Sequence, residues 1–271
     1  MQIATRESYL TALGRAGVGA MLFGLPLIMT MEMWQLALSM DRLRLLIFLI
    51  VGFGLVLGLA FYAGFRDARG WVHDLQDTGA ALAIGAVVSI VMLSLLGVYD
   101  RGEPLGVFVA KTALQTIPAA MGAVLARRQL GRKAGDDEAA AAPGPLYVGE
   151  LFLMVAGALF LAFNLAPTEE MVLIAFQMSP VHTLLLAGLS ILLLHLLVFR
   201  LGFAGQEAHE TARAAFVQFT SPGYAIALLV SLYVLWTFGR TDGLSAHEAL
   251  STAIVLAFPA SLGAALARLV V

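Results

Sequence analysis

Apolar runs of about twenty residues alternate with short polar connections eight times along this chain. A run of that length crosses the hydrocarbon core of a bilayer as an α-helix. The pattern therefore predicts spans near 16–38, 44–65, 79–98, 105–126, 148–168, 181–201, 222–239 and 247–268. The expected fold is all-α, a polytopic membrane protein with eight transmembrane helices. Two connections, 127–146 and 202–221, are longer than the rest. The first holds Gly131-Arg132-Lys133-Ala134-Gly135, an alanine run and Pro143-Gly144-Pro145, which is a linker's composition. The expected organisation is thus 1–130, a cytoplasmic linker over 131–146, and 147–271.

The two parts repeat one another. Pro118-Ala119-Ala120-Met121-Gly122-Ala123-Val124-Leu125-Ala126-Arg127 matches Pro259-Ala260-Ser261-Leu262-Gly263-Ala264-Ala265-Leu266-Ala267-Arg268 at seven of ten positions. Gly19 through Glu32 aligns without a gap with Gly157 through Glu170. Between these anchors Gly64-Phe65 matches Gly202-Phe203, Val88-Ser89 matches Val230-Ser231, and Gly97 with Asp100 matches Gly239 with Asp242. Agreement in order along four consecutive spans points to a duplicated four-helix unit. Four spans return the chain to its starting side, so the repeats are expected to be parallel in orientation. Eleven of the sixteen Lys and Arg residues fall on the side that holds the termini. By the positive-inside rule both termini are expected to be cytoplasmic.

Composition narrows the class. With 60% hydrophobic and 13% charged residues in 271, the chain has too much apolar surface for a soluble core, and its solvent is expected to be lipid. A net charge of −2 gives no basic patch for nucleic acid. The absence of cysteine excludes disulfides, thiolate metal sites and a cysteine nucleophile. The run 16–38 is longer than a signal-peptide core and is read as a retained part of the fold. The expected partner is the lipid bilayer, with a small ion and assembly into homo-oligomers left open.

The informative residues are the polar ones inside the apolar runs. Glu32 lies about 9 Å from the outer end of its span at 1.5 Å per residue, and Lys111 on the oppositely directed fourth span lies at nearly the same depth. A pair between them would relieve the cost of two isolated charges in low dielectric. The alternatives are a purely structural salt bridge, or a lysine that snorkels to the interface. Gln115, Pro118 and Gly122 continue the Lys111 face at helical spacing. In the second repeat Thr252 replaces Lys111, Glu170 is kept and Glu169 is added, so that copy is expected to lack the cation. Asn164-Leu165-Ala166-Pro167-Thr168-Glu169-Glu170 reads as a helix interruption, with proline at a first helical position and acids after it. A solvated outer loop is the other reading. Pro26 aligns with Asn164 and would kink the first copy at the matching level.

Other features carry less. His195, expected in the middle of its span, aligns with Leu57 and is either a packing residue or a proton carrier. Segments 66–78 and 204–220 read as surface helices or simple loops. Trp34, Tyr99, Tyr147, Tyr224 and Trp236 sit near span ends, as an aromatic belt does. Gly54 and Gly58 fit a small-xxx-small contact. The remaining histidines are scattered, and no HExxH, GxSxG or phosphate-cradling loop occurs, so neither an enzyme nor a cofactor is expected.

The stretches Leu22-Phe23-Gly24-Leu25-Pro26 with Thr30-Met31-Glu32-Met33-Trp34, Ala158 through Met171, and Leu235-Trp236-Thr237-Phe238-Gly239-Arg240-Thr241-Asp242 resemble a family of conserved bacterial integral membrane proteins of unknown function. The resemblance implies a multi-pass inner-membrane protein and brings no substrate or site residue. The residues themselves favour a channel or transporter for a small cation. Its expected site is Glu32 and Glu170, with Thr30, Asn164, Thr168 and Glu169, near the outer end of a seam between repeats, and Lys111 as counter-ion or gate. The rival is a membrane scaffold or accessory subunit whose buried charges only fix packing.

Overall fold

A computed structural model of the chain describes residues 2–63, 71–131, 147–200 and 212–270. Nearly all of the expected linker lies outside these residues, as do 66–70 and 204–211 of the two expected surface segments. The regular structure described is entirely helical and falls into two units, Met1–Ala140 and Ala141–Val271. The first unit holds α1 (Gln2–Ile28), α2 (Met31–Ser39), α3 (Arg42–Ala63), α4 (Trp71–Leu95) and α5 (Leu105–Gly131). The second holds α6 (Tyr147–Leu165), α7 (Glu170–Gln177), α8 (Pro180–Arg200), α9 (Ala212–Ala215), a π-helical segment (Phe216–Thr220), α10 (Ser221–Thr237) and α11 (Ala246–Val270).

Among the described residues eight helical stretches are long and apolar enough to cross a membrane, in agreement with the eight expected spans. Two expectations change in detail. The span foreseen at 16–38 is divided between α1 and α2. Trp71, Val72 and Leu75, expected in a surface segment, form the first turns of α4, and Phe216–Thr220 runs directly into α10.

Within each unit the last helix is the core. The α5 window is 72% buried, against 28–33% for those of α1, α3 and α4; α11 is 61% buried, against 22–44% for its neighbours. α5 is also the least hydrophobic span of its unit, so the helix least suited to lipid is the one surrounded by protein. Close approach makes this possible. A β-carbon at Gly19 would run into the carbonyl of Gly122, and one at Gly122 into the carbonyl of Gly19. Gly157 and Gly263 meet in the same reciprocal way where α6 crosses α11. These contacts supply the small-residue packing that membrane helices use in place of hydrophobic burial. Gly54 has open space around it, so the suggested Gly54–Gly58 motif does not account for this packing.

The turns follow from local chemistry. α4 ends in a Schellman motif: Gly97, at φ 68°, donates to Ser94, and Val98 donates to Leu93. α10 ends with the same bonds, Gly239 at φ 72° to Trp236 and Arg240 to Leu235. The left-handed position favours glycine. α3 is capped by Asp41, whose Oδ1 accepts from the backbone N–H of Leu43 and Arg44. At α11, Ser245 and Glu248 form a reciprocal capping box.

Candidate functional site

Apart from Lys111, the residues singled out by sequence as a site stand at two helix breaks, one in each unit. In the first unit α1 stops at Ile28, and Thr30 takes an extended conformation (φ −92°, ψ 112°) before α2. A break removes the N–H groups that would bond the last carbonyls of α1. Each of those carbonyls has a substitute donor. Thr30 Oγ1 donates to Pro26 at 2.6 Å, Trp34 Nε1 to Ile28 at 2.6 Å, and Gln115 Nε2 to Leu27 at 3.2 Å, beside the Thr30 N–H. Trp34 therefore holds the break rather than serving only as a belt residue.

The break is deep. Gln115 is ten residues along α5 from Leu105, about 15 Å at 1.5 Å per residue, or near the middle of the span Leu105–Ala126. Gly52, ten residues into α3, packs against Ile117 and marks the same level. α1 and α2 together thus make one discontinuous crossing, with half-buried Glu32 in the first turn of α2. Gln115 is 1% exposed. With its nitrogen on Leu27, its Oε1 is left with no hydrogen-bond partner among the described residues.

Lys111 does not pair with Glu32. Its ammonium contacts Glu103 Oε2 and donates to the carbonyl of Val98 at 2.9 Å, with Lys111 6% and Glu103 8% exposed. The reason is directional: helical side chains lean towards the helix N-terminus, which for α5 is the loop carrying Val98 and Glu103. Tyr99 completes this cluster, with its ring 6.0 Å from Lys111 Nζ and its hydroxyl 2.8 Å from Thr112 Oγ1. Burial raises the Tyr99 phenol above its ordinary pKa; the Thr112 bond opposes this and the Glu103 charge adds to it.

In the second unit α6 ends at Leu165 and α7 starts at Glu170, so the helix is interrupted within the stretch that proline and the acids suggested. Thr168 Oγ1 donates to Leu165 at 2.9 Å, and Asn164 Nδ2 to Phe160 at 2.7 Å. Asn164 Oδ1 is buried and has no hydrogen-bond partner among the described residues. The expectation that this copy lacks a cation fails. Arg240, reaching back from the left-handed turn after α10, places Nη2 on the carbonyl of Pro167 and Nη1 3.5 Å from Glu169 Oε1. Glu170 is exposed. Measured along α6 from its contact with Gly263, Leu165 lies roughly 13 Å below the start of α11, again well inside the span Ala246–Ala267.

His195 lies five residues from the end of α8, not midway along it. Its Nδ1 is 2.9 Å from Thr220 Oγ1, between the rings of Phe199 and Phe216. At the same end of the unit a cavity of about 370 Å³ is lined by Tyr147, Glu150, Gln218 and Phe219, with Tyr147 donating to the carbonyl of Gln218 at 2.8 Å. Among the described residues no three His, Asp or Glu side chains form a group that could hold a metal ion.

The acids, the threonines and Asn164 were singled out by sequence as candidates, and the structure places them beside the two breaks. Sequence alone did not assign roles to Glu103, Trp34 and Arg240, although the N-terminal lean of Lys111 was a signal for the first of these. A family profile described as "Putative integral membrane protein (DUF2391)" matches residues 12–271. No curated protein and no solved structure matches the chain.

Proposed function

The chain belongs to the DUF2391 family of putative integral membrane proteins, and we propose that it is a channel or transporter for a small cation. We place it in the bacterial inner membrane with both termini cytoplasmic. The observation that carries this reading is the deep helix break of each unit, where a side-chain amide gives its nitrogen to the backbone and keeps its oxygen free, Gln115 in the first and Asn164 in the second. Unwound backbone at membrane depth is tolerated where it is enclosed in protein or lines a polar cavity, and transported ions are held at such discontinuities.

In this reading Gln115 Oε1 and Asn164 Oδ1, with the hydroxyl lone pairs of Thr30 and Thr168, give neutral oxygen ligands. Each hydroxyl already donates to a carbonyl and so faces a cation only as an acceptor. Glu32 and Glu170 supply negative charge next to each break. Lys111 and Arg240 fasten the adjoining loops, with Glu103 and Glu169 offsetting their charge.

The test is flux through purified protein in liposomes, with Na⁺, K⁺ and H⁺ examined separately. Native protein should pass one of them, and Glu32→Gln or Glu170→Gln should lower that flux at least tenfold. Flux untouched by both changes would remove the acids from the pathway. No flux from folded protein at any voltage or pH would favour the alternative, a scaffold or accessory subunit in which the Lys111–Glu103 and Arg240–Glu169 pairs only fasten helices.

A further inference from the structure

Buried polar atoms that lack a protein partner are unevenly divided between the units. The first has two among its described residues, Glu103 Oε1 and Gln115 Oε1; the second has six, Asn164 Oδ1, the hydroxyls of Tyr224, Ser231, Tyr233 and Thr237, and Arg240 Nε. At the aligned positions the first unit has Pro26, Leu82, Ser89, Val91, Leu95 and Val98. Five of these are apolar, and Ser89 donates to the Gly85 carbonyl at 2.7 Å. Ser231, 0% exposed, makes no such bond.

Four of the six cluster at one end of the unit. Thr237 stands one turn beyond Tyr233, and their hydroxyls approach without closing a hydrogen bond of good geometry. Arg240 follows in the turn after α10 and holds Pro167, three residues past Asn164. The rings of Phe163 and Phe238, 6.2 Å apart, join α6 to α10 at this level. Ser231 stands two residues from Tyr233, about 200° around α10, and so faces another side of the helix.

The chemistry of the set selects its occupant. Asn164 Oδ1 only accepts, Arg240 Nε–H only donates, and the hydroxyls do either. A bare cation would satisfy the first and repel the second; an anion would do the reverse. Water serves both, and buried groups without protein partners are where internal water is held. We propose that the second unit holds buried water at this end of α10, bound by Tyr233, Thr237 and Arg240. This stands independently of whether the protein carries ions.

Hydroxyl-radical footprinting of the full chain in lipid nanodiscs tests it, because radicals formed from internal water label buried side chains. Labelling rates are compared with those of the unfolded chain. Tyr233 should be protected at least fivefold less than Phe23, which is likewise part-exposed in the first unit. Thr237→Leu, the first unit's residue, should restore protection at Tyr233. Equal protection of Tyr233 and Phe23 overturns the proposal. Thermal unfolding gives a second reading: removing a dry, unpartnered hydroxyl with Thr237→Val should raise the midpoint, whereas removing a water ligand should lower it by about 2–4 °C. A rise overturns the proposal, and a fall supports it.

Discussion

Gln115 donates its Nε2 hydrogen to the carbonyl of Leu27, 3.2 Å away, at the level where α1 stops. The bond spans 88 residues of sequence and joins the most buried of the first unit's membrane-length helices to its deep discontinuity. It also fixes the direction of the amide, because an oxygen in the nitrogen's place would face another oxygen. The free Oε1 is a consequence of this bond.

Gln115→Leu should therefore separate structure from function. Leu27 keeps its bond from the Thr30 N–H at 3.1 Å, so the loss should be that of one ordinary hydrogen bond, about 1 kcal/mol, or roughly 2–4 °C in the unfolding midpoint. If Gln115 Oε1 is an ion ligand, flux should fall by much more than this small destabilisation explains. Thermal unfolding and liposome flux on the same preparation check both parts.

Lys111 and Glu103 form a buried pair, and breaking one side should cost more than removing both. Lys111→Met leaves the carboxylate uncompensated and should destabilise by about 3–5 kcal/mol. Adding Glu103→Gln should recover most of that loss, whereas adding Glu32→Gln should recover none. A double-mutant cycle on unfolding free energies measures the difference. Recovery by Glu32→Gln would contradict the observed pairing.

The same residues show how far the sequence reaches. The break in the second unit was legible because its signals are local, with Pro167 and two acids in one short stretch. In the first unit only a kink at Pro26 was expected; the chain instead breaks a full turn later, at Thr30, where its donors include Gln115, remote in sequence. The eight crossings were readable because lipid imposes a length and a composition on every span. The partner of Lys111 was misread because equal depth does not specify which way a side chain points. Arg240 was counted only as a loop charge; its role depends on a left-handed turn that folds it back over Pro167, and charge counting does not register such geometry.

Glycine contacts offer a test that needs no assay of function. A β-carbon at Gly122 or Gly263 would overlap the backbone of the crossing helix, and backbone cannot move aside as a flexible side chain can. Gly122→Ala and Gly263→Ala should each cost about 3 kcal/mol or more, at the severe end for single substitutions. Gly54→Ala, with nothing within 4 Å, should be neutral or slightly stabilising through helix propensity. Yield of monodisperse protein and its unfolding midpoint report the contrast, and equal behaviour of the three would refute the crossing geometry.

Arg240 makes two contacts that should differ greatly in worth. Its pair with Glu169 is 3.5 Å long, and Glu169 is 76% exposed; such pairs contribute about 0–1 kcal/mol. Pro167 is instead buried, and the first N–H groups of α7 go to Glu169 rather than to its carbonyl. A buried acceptor stripped of a charged donor costs about 1–3 kcal/mol. Arg240→Gln should thus destabilise by about 2 kcal/mol, while Glu169→Gln should change stability by less than about 0.5 kcal/mol. Denaturation of the two variants side by side decides the matter. If they lose the same amount, the carboxylate is what Arg240 is held for; if Arg240→Gln alone is costly, the residue acts chiefly as the missing backbone donor of the second break, as Trp34 and Gln115 act in the first.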